Sequence, residues 1–171
     1  MHRLSFTFRR ARAEDIEELN SLINSAYRGD SARRGWTHEA DLVGGLRTTA
    51  DELKEIITRP NEFFLLAYSG EKLVGSMHYR DEGEGVYFGM LAVRPELQNR
   101  TTGTRLMAEG ERIAIEDGKK FIRFVVIHVR KELIAYYESK GFHLTGKSEP
   151  FPVQYPAMMT GLLLVEMKKT L

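Results

Sequence analysis

A mixed α/β fold on one sheet is the class this sequence predicts, and three observations predict it. Between Phe63 and Val93, three apolar runs are separated by short turns at Gly70-Glu71 and Gly83 to Gly85, the pattern of an antiparallel meander. From residue 103 onward, helical and strand periodicities alternate along the chain. Joining the two parts is a strand, a polar loop and a helix, Gly89 to Met107, in which Arg94-Pro95-Glu96 breaks the strand because proline cannot donate to a ladder.

The elements follow in order. Leu4, Phe6 and Phe8 alternate with Ser5 and Thr7 as a half-buried strand. Glu14, Asp15, Glu17 and Glu18 put acid at a helix start, where the dipole favours it, and Ile16, Leu19, Leu22, Ile23, Ala26 and Tyr27 give that helix one apolar face. It stops near Gly29, and residues 28–35 form a polar connection. Thr49-x-x-Glu52 reads as a capping box, with Leu53, Ile56 and Ile57 behind it and Pro60 as the stop. Strands are expected over Phe63–Ser69, Lys72–Arg80 and Val86–Val93. A helix over 103–117, a strand over 120–127, a helix over 131–140, and strands over 142–147 and 161–168 complete the chain. The three prolines between Glu149 and Met159 predict a loop, whose Phe151, Tyr155 and Met158 can roof a pocket.

Composition narrows the function. With 171 residues and 42% apolar side chains, one packed domain over 1–171 is expected. A formal charge of +1 with acids and bases mixed gives no reason for nucleic acid or an anionic membrane as partner. The chain has no cysteine, which rules out disulfides, thiolate metal sites and a cysteine nucleophile. His2, His38, His78, His128 and His143 make no H-x-x-x-H pair, so no metal is expected. There is no G-x-S-x-G elbow and no G-K-[ST] phosphate loop. With no signal-peptide pattern and no apolar run approaching about eighteen residues, the expected location is the cytoplasm.

The strand–loop–helix has a chemical use. Leu106, Met107, Gly110, Ile113 and Ala114 recur with helical period behind the loop Gln98–Thr104. A helix start leaves backbone N–H groups unpaired and partly positive, so this loop suits an anion. Arg100 adds charge, and Thr101, Thr102 and Thr104 add hydroxyls; a pyrophosphate fits that description, and a plain capped connection is the alternative. Elsewhere, Trp36 lies beside His38, Glu39 and Asp41. A rigid aromatic with carboxylates suits a cationic amine, although a tryptophan that simply packs a loop onto the body has the same neighbours.

Here the sequence resembles a family. Val93, Pro95, Gln98, Gly103 and Leu106, as V-x-P-x-x-Q-x-x-x-x-G-x-x-L, look like the coenzyme A loop of the GNAT superfamily of N-acetyltransferases. That loop usually reads Q/R-x-x-G-x-G/A. This chain keeps Gly103 but has Thr101 at the first signature glycine and Asn99 where another glycine is common. The stretch Glu132 to Phe142 is similar to the family's later helix, ending Y-x-x-x-G-F, with Tyr137, Gly141 and Phe142 on the pattern. The resemblance covers about residues 5–170 and is specific over the second half.

The resemblance implies a mixed, mostly antiparallel twisted sheet of about seven strands flanked by about four helices. It implies acetyl-CoA as the acyl donor, no metal, and a primary amine of a small molecule or peptide as acceptor. Family members often dimerise, which leaves a homodimer open. Carried over residue by residue, Met90, Leu91, Ala92 and Val93 line the pantetheine arm. Gln98, Asn99, Arg100, Thr101, Thr102, Gly103 and Thr104 hold the phosphates, and Tyr137 lies near the thioester sulfur as its proton donor, with Tyr136 as a competitor. Trp36, Glu39 and Tyr87 are the acceptor-side candidates. Glu84 is the first choice of general base, with Tyr87 and His78 as alternatives, and His128 stands where relatives often carry an asparagine. Without a cysteine nucleophile, the expected route is direct attack in a ternary complex. The alternative from another class is a non-catalytic acyl-CoA-binding or regulatory module. Thr101 and Asn99 motivate it, and at Thr101 a β-branched residue resists positive φ.

Overall fold

The computed structural model describes residues 5–27, 47–97, 101–151 and 161–171. Among them are the strands β1 (Thr7–Arg10), β2 (Glu62–Ser69), β3 (Lys72–Asp81), β4 (Gly85–Val93), β5 (Phe121–Ile127), β6 (His143–Pro150) and β7 (Leu163–Thr170). The helices are α1 (Ile16–Tyr27), α2 (Ala50–Ile57), α3 (Thr102–Glu116) and α4 (Lys131–Ser139). The strands make one seven-stranded sheet, as the resemblance implied, in the order β1-β2-β3-β4-β5-β7-β6. Every neighbouring pair is antiparallel except β4 and β5, which are parallel.

Strand alternation feeds two cores. On one face Phe64, Leu66, Leu73 and Ala92 meet the apolar sides of α1 and α2, including Leu19, Ile23 and Leu53. On the other, Leu65, Met77, Phe88, Ile122 and Phe124 meet Leu106 and Ala114 of α3 and Ile134 and Tyr137 of α4. Both faces of the meander are therefore covered, which explains the unbroken apolar run in β2. Gly110 brings α3 close, since a Cβ there would meet Met77 Cε at 2.5 Å and Phe88 Cζ at 2.8 Å.

Three local readings change. The acids ahead of α1 form a 3-10 turn, Ala13–Asp15, in which Asp15 accepts from the Arg9 guanidinium at 2.8 Å and from the Arg12 N–H at 2.7 Å. The Thr49 cap is present, accepting from the Glu52 N–H at 3.2 Å. The Glu52 carboxylate, however, accepts from the Thr48 hydroxyl at 2.9 Å instead of closing a box. Glu149 and Pro150, expected in a loop, pair with Leu164 and Leu163 as the end of β6. Proline is tolerated there because β6 is the last strand of the sheet. The expected connection 28–35, the Trp36 segment, the loop tip 98–100, and Tyr155 and Met158 lie outside the described residues.

Candidate active site

Strand β4 parts from β5 soon after they meet. Their pairing is limited to Gly85 with Phe121, Val86 with Ile122 and Tyr87 with Arg123. Beyond that rung Phe88–Val93 stays bonded to β3, and Phe124–Ile127 stays bonded to β7. A wedge opens inside the sheet, and backbone groups that a ladder would normally satisfy face it. At the same level β4 carries a bulge. Ser76 pairs with Ala92 but His78 with Gly89, so Met90 and Leu91 together oppose Met77. Met90 has φ of 45°, a left-handed conformation uncommon for a residue with a side chain. Such a bulge re-aims the backbone N–H groups of its strand.

The helix α3 starts just past the end of β4. Thr101 is its N-cap, with φ of −80°, so its β-branched side chain carries no positive-φ strain. The motive for doubting the loop on that ground is removed. The Thr102 hydroxyl is buried at the first turn and has no hydrogen-bond partner among the described residues. A donor so placed fits a phosphate oxygen. Gly103 sits inside the helix, where a Cβ would make only an ordinary 3.5 Å contact with Val93. Thr104 faces elsewhere: its hydroxyl shares a 2.5 Å hydrogen bond with the Tyr136 hydroxyl. Gln98, Asn99 and Arg100 lie outside the described residues.

The two tyrosines of α4 are thereby separated. Tyr136 lines a cavity of about 120 Å³ against Thr104, Met107 and Ala108 of α3. Tyr137 is buried with its ring 4.5 Å from Phe124, the first residue of β5 past the last shared rung. Burial drives the Tyr137 pKa well above the ordinary tyrosine value, with Tyr27 and Tyr136 adding to the effect and Arg130 opposing it. Its hydroxyl therefore stays protonated, as a donor.

On the α1–α2 face the sheet carries polar groups beside the wedge. Tyr87, at the last shared rung, has the Arg80 and Arg123 guanidiniums 4.5 and 4.8 Å from its ring centre. Burial raises its pKa, and Arg47, Arg80 and Arg123 oppose the rise. One strand back, His78 Nε2 lies 2.9 Å from Glu62 Oε1, with both side chains buried and the imidazole stacked on Phe64. Glu62 was not legible as a site residue, although its i, i+2 spacing with Phe64 and Leu66 puts an acid on an apolar face. Glu84, the first-choice base, does not join this group. Its side chain is 73% exposed, paired with Lys120 at 3.0 Å, and sits just before β4, at the end opposite the bulge. His128 is structural: its Nδ1 accepts from the Leu163 N–H at 3.0 Å, tying the end of β5 to β7. Trp36 and Glu39 lie outside the described residues.

The wedge between two parallel strands, the bulge at its mouth and the helix start beyond it put unpaired backbone and an anion-suited helix end side by side. The chain belongs to the GNAT acetyltransferase family, whose acetyltransferase (GNAT) domain model matches residues 45–171. Solved structures share the fold. PaiA N-acetyltransferase from Thermoplasma acidophilum in complex with coenzyme A has 19% identity and a TM-score of 0.70, with 98% of this chain and 99% of that chain covered. The ribosomal-protein-S18-alanine N-acetyltransferase from Escherichia coli has 12% identity and a TM-score of 0.72, with 97% and 94% covered. An acetyltransferase from Thermus thermophilus has 20% identity and a TM-score of 0.69, with 100% of each chain covered. No curated protein matches the sequence. The protein is thus an N-acetyltransferase that uses acetyl-CoA, and no described helix is long and apolar enough to cross a membrane.

Proposed function

We propose that the protein transfers the acetyl group to a primary amine of a small molecule or peptide by direct attack within a ternary complex. The observation that carries this reading is the wedge, where β4 and β5 lose each other after Tyr87 and Arg123. An arm bearing amide groups can take the place of the missing rungs, as an added strand would. Met90, Leu91, Ala92 and Val93 would line it, and Thr101 to Gly103 would meet the phosphates with the helix start of α3. Thr104 contributes through Tyr136 rather than to the phosphates.

Bound acetyl-CoA supplies an activated acyl carbon and a thiolate leaving group. Backbone N–H groups at the bulge can stabilise negative charge on the acyl oxygen, an effect strengthened where water is excluded. Tyr137 protonates the departing sulfur. The dry setting raises the Tyr137 pKa and the basicity of a thiolate alike, so the phenol is kept protonated until the sulfur departs. The acceptor approaches from the α1–α2 face near Tyr87. Of the two residues that motivated the non-catalytic alternative, Thr101 adopts negative φ and gives it no support, and Asn99 lies outside the described residues.

Calorimetric and thermal-shift titrations with acetyl-CoA, free CoA and ATP at matched salt test the reading. Acetyl-CoA binding at micromolar strength, without ATP binding, is the expected result, and it must raise the melting temperature. Absence of acetyl-CoA binding would overturn it.

A further inference from the structure

Opposite the bulge, β3 presents two buried polar groups on the face covered by α1, and they have no structural task in common. Ser76 pairs with Ala92 and His78 with Gly89, so the two flank Met90 and Leu91 and, two residues apart, share a face. The Ser76 hydroxyl has no hydrogen-bond partner among the described residues. His78 has one named side-chain partner, Glu62, through Nε2. Glu62 in turn accepts from Arg59 at 3.1 Å. This pair interrupts an apolar layer formed by Phe64, Leu66 and the helices α1 and α2, where a hydrophobic pair would pack at no desolvation cost.

The free nitrogen of the ring is the informative one. A carboxylate accepts only, so the Glu62 bond holds the proton on Nε2 and leaves the lone pair on Nδ1. Nδ1 lies 3.4 Å from the point a Cβ at position 89 would occupy, and Tyr87 Cε1 lies 3.0 Å from the same point. Residue 89 is a glycine, so the imidazole and the Tyr87 ring of β4 both close over its backbone with no Cβ between them. This place adjoins the bulge, where the acyl carbon sits in the reading given above.

We propose that His78, held by Glu62, is the general base that takes the proton from the acceptor's ammonium group, directly or through one water. The inference rests on the acetyl-transfer reading. The protonated amine gives one proton to Nδ1, and its lone pair then forms the N–C bond to the acyl carbon. Collapse breaks the C–S bond, and the sulfur takes a proton from Tyr137. The second proton lost by nitrogen restores Tyr137 by way of water, while His78 releases the first to solvent. One ammonium and one thioester thus give one amide, one thiol and one proton. Glu62 is a positioning residue, because it acts through the imidazole.

Electrostatics agree with this geometry. Burial lowers the His78 pKa below its ordinary value, with Arg80 and Arg47 pushing the same way and Glu62 opposing. Tyr87 is the neighbouring titratable group on β4, and its phenol stays neutral because burial raises its pKa. The imidazole is therefore unprotonated at neutral pH and ready to accept.

The test has two readouts. Long-range nitrogen–carbon NMR of histidine-labelled protein, assigned with His78→Gln, should find the His78 proton on Nε2 at pH 7 and a pKa below 6.5. A proton on Nδ1 would overturn the proposal without any activity measurement. Rates are then measured with acetyl-CoA and the fastest of putrescine, a lysine-containing tripeptide and an alanine-initiated tripeptide. His78→Gln should lower kcat about 100-fold or more and abolish its acidic limb, with acetyl-CoA affinity unchanged. Glu62→Gln should lower kcat about 10-fold and move that limb. Gly89→Ala, which sets a methyl against the Tyr87 ring and the imidazole while keeping the pair, should slow turnover without altering the His78 tautomer. Wild-type turnover with full activity in folded His78→Gln would refute the base assignment alone, whereas failure of acetyl-CoA to bind would refute the underlying reading.

Discussion

Along its β3 edge, β4 is paired from Val86 opposite Asp81 to Val93 opposite Gly75, interrupted only by the bulge. Along its β5 edge, pairing ends at Tyr87. One strand thus has a closed edge and an open edge. The closed edge is sealed by packing: Met77 and Phe88 meet Gly110 of α3, and Tyr79 and Phe88 rings lie 5.9 Å apart. Past the open edge lies Phe124, with the buried Tyr137 ring packed on it, and the start of α3. The comparison teaches where a sheet makes room for a ligand. Unpaired backbone inside a protein is costly, so it persists where a substrate can complete the ladder.

Four perturbations would break or sharpen that contrast. The largest effect belongs to the open edge. Tyr137→Phe should lower turnover about a hundredfold or more while leaving acetyl-CoA affinity and melting temperature nearly unchanged, as single-turnover kinetics beside calorimetry would reveal. Equal turnover would reduce Tyr137 to a packing residue. Next comes the closed edge. Gly110→Val places atoms where Met77 and Phe88 already stand and should cost about 1–3 kcal/mol of stability, seen as a lower urea midpoint. If it folds as stably as the parent, α3 is less tightly seated than its contacts say.

A smaller effect is expected at the helix start. Thr102→Val removes a hydroxyl that the protein itself leaves unpartnered, so stability should hold or rise. Acetyl-CoA affinity should fall about 5–10-fold, roughly 1 kcal/mol, if that hydroxyl serves a phosphate. Unaltered affinity would take Thr102 out of the binding site. The smallest effect is on pH dependence. Burial depresses the His78 pKa, so below about pH 6.5 the unfolded chain takes up a proton that the native imidazole refuses. Stability should therefore decline with acid from that point until the native pKa is reached, by at most about 1.36 kcal/mol per pH unit from this group. Urea melts of the parent and His78→Gln between pH 5 and 7 would separate this part of the slope, and identical slopes would contradict the shift.

Much of this architecture could be read locally. Period-2 and period-3.6 patterns located the strands and helices, because each element must bury one side. The apolar run Phe63–Ser69 marked a strand, and the two cores show why it is apolar on both sides. The V-x-P-x-x-Q and Y-x-x-x-G-F stretches pointed to the family, and the family model agrees. Other features could not be read so. Glu149 and Pro150 looked like a loop, since nothing local says that a proline will sit on the outermost strand. Glu84 looked like a base because it precedes the central strand, but distance along that strand carries it away from the bulge towards Lys120. Glu62 carried no local sign of a role, and only pairing with β3 brings it to His78.

The sequence by itself determined the elements, the two apolar faces and the family, since these depend on neighbours within a few residues of one another. The tertiary structure alone decided where β4 and β5 part, which residue bulges, which tyrosine packs on Phe124 and which acid meets an imidazole. Those outcomes depend on the register of strands distant in sequence, and a shift of one residue would turn each side chain to the other face.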